Sequence, residues 1–165
     1  MSQRTKELVE KFTAFTNDFI VFVDNCSVEE WRKECSGEGW TVGVVAHHVA
    51  AGHFGAIDFV RMIVAGEAMP EITMEDIDQM NAQHAKEHAN CTREEVLGLL
   101  RENGTAFADY LEGLREADLA RTGYLAAIGG DVSAQQLIEM VILQSGGEHL
   151  DSMKATIGTY SFKDA

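Results

Sequence analysis

The sequence predicts an all-α protein, a four-helix bundle with short additional helices in its connections. The chain has 165 residues and a single proline. Stretches between its turn signals run to about 20 residues, too long for a sandwich of short strands. Within those stretches apolar residues recur at spacings of three and four, the period of a helix with one buried face. Helix-start signatures stand at the head of most of them.

The first long helix is expected over residues 3–24, where Leu8, Phe12, Phe15, Phe19, Phe22 and Val23 form an apolar stripe. Ser27-Val28-Glu29-Glu30 reads as a capping box opening a short helix through Trp31, which the glycine-bearing CSGEG loop ends. Thr41 is the expected N-cap of the second long helix, residues 42–66, stopping before Met69-Pro70. Thr73-Met74-Glu75-Asp76 caps a polar helix over 75–89. Thr92-Arg93-Glu94-Glu95 opens the third long helix, 93–113, and a loop with Gly123 and Gly129-Gly130 follows. Ser133-Ala134-Gln135-Gln136 starts the last, running to Ile157 with Gly158 as its stop. With no linker or repeat in view, residues 1–165 are expected to form one domain.

Composition excludes several functions. A formal net charge of −14 without a basic cluster argues against nucleic acid or an anionic membrane as partner. The polar start SQRTKELVEK predicts no secretory signal, and no run of 18 apolar residues predicts a membrane span. Cys26, Cys35 and Cys91 are odd in number and lack CxxC spacing, so reduced thiols and a cytoplasmic location are expected.

The chemistry concentrates in histidines. On the second long helix, steps of three and four from Val44 and Val45 reach His48, Gly52, Gly55 and Phe59. His48 thus shares the apolar stripe, while His47 is turned about 100° from it and His53 about 140°. On the last helix Leu137, Val141, Ser145, His149, Ser152 and Thr156 form a similar row. Two inward histidines on different helices could converge on a metal in a bundle core, although an inward histidine is more often a hydrogen-bonded core residue. The flanking Gly52, Gly55, Gly146 and Gly147 mark either close helix approach or space kept for a ligand. No Glu-x-x-His exists for a di-iron bundle. Alanines, Ala50 and Ala51, stand where a histidine phosphotransfer domain usually has a lysine.

Trp40-Thr41-Val42 with His48 eight residues after the tryptophan resembles the start of helix two in the DinB/YfiT-like superfamily. Within it the branch of mycothiol-dependent maleylpyruvate isomerases is most similar. The likeness runs on through IDQMNAQHAKEHANCTREEVLGLLRENG (77–104), LREADLART (114–122) and GGDVSAQQLIEMVILQSGGEHLDSMKA (129–155). It implies a DinB-like four-helix bundle with a divalent metal, zinc or nickel, held by three residues. His48 would be one, and the others a pair four apart on the last helix. His149 keeps the second position of that pair, but the first is Ser145, whose neutral hydroxyl is a poor ligand for such metals. Restoring an imidazole at Ser145 is therefore expected to create or strengthen the site. His84, in the NAQH segment, is the candidate third ligand or substrate contact.

Two functions remain open on this reading. One is a metal- and thiol-dependent transferase or isomerase, with a hydrolase as variant, that activates a low-molecular-weight thiol at the cation. The alternative is a non-catalytic bundle that has lost its metal site and binds a small-molecule ligand or associates as a homodimer.

Overall fold

Four long helical segments enclose the core, as the cap-by-cap reading predicts. The structure, a computed structural model, describes residues 1–158; residues 159–165 of the expected domain lie outside the described residues. Helix α1 (Gln3–Asn25) starts at Ser2, whose hydroxyl accepts from the Thr5 amide. It packs along α6 (Arg93–Glu112), and buried Phe12 meets Phe107 and Phe54 at ring separations of 4.6 and 5.3 Å. Gly104 lets these helices approach closely, since a Cβ there would stand 2.9 Å from Thr16 Cγ2.

The expected capping boxes all form: Ser27 with Glu30 before α2 (Val28–Trp31), Thr92 with Glu95 before α6, and Ser133 with Gln136 before α8 (Ala134–Leu137). Thr73 and Asp76 likewise close a box before α5 (Met74–Glu87). The short α7 (Glu116–Leu119) follows α6.

Two departures matter for function. First, both loops read from glycines contain antiparallel hairpins. Strand β1 (Glu34–Cys35) pairs with β2 (Trp40–Thr41), and β3 (Thr122–Leu125) with β4 (Gly130–Ser133). The positive φ of Gly39 and of Gly129 allows each turn. Each hairpin runs directly into an N-cap, Thr41 or Ser133, so it fixes where a long helix begins.

Second, neither of the continuous helices expected over 42–66 and up to 157 is uniform. The second segment is α3 (Val42–His47), a π-helical stretch π1 (His48–His53), then α4 (Ile57–Ala65), ended by Gly66 at φ 73°. The last is α8, a second π stretch π2 (Ile138–Ser145), then α9 (Gly146–Ile157), ended by Gly158. The two π stretches pack against each other. At their side Gly146 admits Phe15 and Val49, since a Cβ would meet Phe15 Cζ at 2.9 Å and Val49 Cγ1 at 3.7 Å. Close approach is thus the role of this glycine.

Candidate metal centre

The start of α3 is held in three ways. Thr41 Oγ1 accepts from the Val44 amide at 3.3 Å. The Trp31 indole N–H donates to the Cys91 carbonyl at 3.0 Å, and the Cys91 thiol donates to the Gly43 carbonyl. Trp40, fixed by the hairpin, sets its ring edge-to-face against His48, with centroids 5.4 Å apart. His48 is thereby oriented before any ligand is considered, and Gly52 leaves room for its ring (a Cβ would lie 3.3 Å from Nδ1).

His48 and His149 do approach in the interior, with ring centroids 5.3 Å apart. The third imidazole beside them is His53. A 3.6-residue helix turns residues five apart by about 140°. In a π turn, with i to i+5 bonding, they lie about one turn above each other on one face. The π1 stretch therefore brings His53 back to His48, and their Nε2 atoms are 3.1 Å apart. One ligand nitrogen from each of His48, His53 and His149 lies within 4.8 Å of the other two.

The outer nitrogens are also engaged. His53 Nδ1 is 2.6 Å from the Val141 carbonyl, contributed by π2. A carbonyl can only accept, so Nδ1 carries the proton and Nε2 presents its lone pair inward. His149 Nδ1 is 2.8 Å from Glu38 Oε1, and the Ser152 hydroxyl donates to Glu38 Oε2, also at 2.8 Å. The carboxylate likewise keeps the His149 proton on Nδ1 and frees Nε2. Ligand histidines are held in this way in metal sites, where the outer partner fixes the tautomer and raises ligand basicity. Burial, and then the neighbouring imidazoles, push His48 down to about 3. Burial likewise holds His53 down at about 4. Both are neutral at physiological pH, the state a cation requires. Three imidazoles whose ligand nitrogens converge in this way fit zinc or nickel.

Of the residues singled out in the sequence, His48 and His149 meet here. Ser145 closes π2 directly before α9, and as a serine it adds no imidazole nitrogen to the group. The His84 ring lies 5.8 Å from that of His48, but its Nε2 faces His47 Nδ1 at 3.0 Å. Sequence reasoning missed His53 and Glu38. The available signals were a third histidine five residues after the family position, and a glutamate flanked by two glycines directly before Trp40.

Cys26, Cys35 and Cys91 are free and buried, and burial raises all three thiols, Cys26 and Cys91 to about 11. They remain protonated and cannot act as nucleophiles. No helix among the described residues is long and apolar enough to cross a membrane.

Comparison with known proteins agrees with this architecture. Residues 11–145 match the family described as the DinB superfamily. No curated protein matches the chain. Among solved structures, YfiT from Bacillus subtilis is described as a probable metal-dependent hydrolase with an unusual four-helix bundle topology. It superposes with a TM-score of 0.75 at 14% identity, over 94% of this chain and 87% of its own.

Proposed function

The chain belongs to the DinB superfamily, and we propose that within it the protein is a metal-dependent hydrolase whose cation is held by His48, His53 and His149. One observation carries the proposal: three imidazole nitrogens converge within 4.8 Å. Two of the rings are locked in the ligating tautomer by Val141 and Glu38. The hydrolase described for YfiT, with the same topology, supports the choice of reaction.

In this reading His53 takes the place of the imidazole or carboxylate that the family pattern has at Ser145. His53, as a third imidazole beside His48 and His149, favours this reading over the alternative of a bundle that has lost its metal site. A divalent cation held here would act as a Lewis acid, lowering the pKa of a water or thiol and polarising a substrate oxygen. The chain's own part is to supply the three imidazoles and to enclose His48 and His53 away from bulk water. Its own thiols take no part, so the nucleophile comes from outside.

A second reading, transfer to or isomerisation through a low-molecular-weight thiol, rests on the sequence likeness over residues 77–104 and 129–155. It uses the same three ligands and differs only in the incoming nucleophile.

Zinc and nickel titration of untagged protein tests the proposal, with ester and amide hydrolysis assayed with and without chelator and added thiol. His53→Ala is expected to weaken binding at this site by more than the roughly 10–100-fold typical of losing an outer-sphere partner. Unchanged affinity in that variant would sink the assignment. Turnover that requires added thiol would favour the second reading.

A further inference from the structure

The six histidines of the chain fall into two groups of three, and the second group has so far no role. His47 ends α3 and is buried; His84 lies in the last turn of α5 and His88 is its C-cap, both half-buried. Their ligand nitrogens again lie within 4.8 Å of one another. His47 Nδ1 and His84 Nε2 are 3.0 Å apart, and the His88 ring stacks on His47 at 3.8 Å between centroids. On the far side His47 Nε2 stands 3.4 Å from Glu95 Oε1, while Glu95 Oε2 accepts from the Thr92 amide in the capping box. The carboxylate keeps a proton on His47 Nε2 and leaves Nδ1, with its lone pair, facing His84. Glu38 does the same for His149 in the first centre.

Packing alone does not account for this group. Helix α5 buries no residue fully. The positions it turns toward the bundle are Ile77, Asn81, His84, Ala85 and His88, all half-buried. An inward stripe with so little apolar surface holds a helix weakly. A cation shared between the end of α3 and the end of α5 would fix it.

We propose that His47, His84 and His88 form a second site for a divalent cation of the zinc and nickel class, which clips α5 onto α3. Glu95 orients His47 there. Imidazole ligands at i, i+4 on one helix with a third from a neighbour suit these metals. On binding, His84 moves its proton from Nε2 to Nδ1 through solvent, and His88 turns out of its stack to present a nitrogen.

The test is calorimetric titration of the metal-stripped, untagged full chain with zinc, together with hydrogen exchange over residues 74–88. Wild type is expected to bind two ions, and His84→Ala or His88→Ala one. Exchange in α5 should slow with zinc in wild type and in His53→Ala, but not in His88→Ala. Glu95→Gln keeps the capping box, because glutamine serves at that position, and should weaken this ion alone by about 10–100-fold. A single ion in wild type that survives His84→Ala and His88→Ala overturns the proposal, as do two ions neither of which those variants remove. A single ion lost in His88→Ala but kept in His53→Ala upholds this site and refutes the first.

Discussion

At the scale of single residues, the proposed metal centre would depend on side chains outside its ligand set. Glu38 holds His149 by one carboxylate oxygen and Ser152 by the other, at 2.8 Å each. Glu38→Gln keeps the shape but removes the charge that makes His149 a stronger donor. Metal affinity at this centre should fall by about 10–100-fold with the fold intact, measured by competition with a chromogenic chelator. An unchanged constant would mean that Glu38 only positions the hairpin. Ser145→His offers the reverse case. Two ligands alone would need the added imidazole, as the sequence suggested. With His53 already beside His48 and His149, the substitution should leave affinity within about tenfold of wild type. A gain of several orders of magnitude would return the third position to residue 145.

At the scale of elements, the hairpin and α3 together aim His48, and their junction tolerates little change. A Cβ on Gly43 would stand 2.5 Å from Trp31 Nε1, and that indole is tied to Cys91. Gly43→Ala gains at most about 1 kcal/mol of helix propensity, against about 1–3 kcal/mol for overpacking a tight site. Net destabilisation is expected in a thermal melt. A Cβ on Gly98, within α6, would meet nothing within 4 Å, so Gly98→Ala should raise stability by about 0.4–1 kcal/mol. A stabilised Gly43→Ala would show that Trp31 yields and that the junction is not rigid. The same contrast explains what was legible locally. Caps such as Thr41 and Thr92 act within four residues and are readable from sequence. The two-residue strands before Thr41 are too short to show any period.

At the scale of the whole molecule, enclosing neutral histidines ties stability to pH. In the unfolded chain His48 and His53 titrate near 6.5; in the folded metal-free protein burial holds them at about 3 and about 4. Between those values the unfolded chain takes up protons that the folded one does not. The contribution is therefore fully present above about pH 6.5 and is lost progressively as the pH falls toward the folded values. Urea melts of the metal-free protein at about pH 7.5 and about pH 5.5, a range in which carboxylates stay ionised, should show lower stability in acid. Equal midpoints would mean that these rings are solvated. Saturating zinc should oppose the loss at moderate acidity, because an ion that binds only the folded form adds about 2.7 kcal/mol at a hundredfold excess over its dissociation constant.

The sequence by itself determined the helical class, the helix starts and stops, and the inward faces of His48 and His149. All of these follow from interactions between residues three or four apart, or from caps. Only the tertiary structure placed His53 beside His48 and His149 and supplied the outer partners Val141 and Glu38. Whether a helix widens to an i to i+5 turn depends on what packs against it. Here π1 and π2 lie together, with Gly146 admitting Phe15 and Val49 at their side. That widening turns His53 toward His48. Glu38 reaches His149 across 111 residues of chain, and no spacing rule spans such a distance. The same holds for His47, which a helical wheel turns off the apolar stripe, and which the docking of α5 and α6 surrounds with His84, His88 and Glu95.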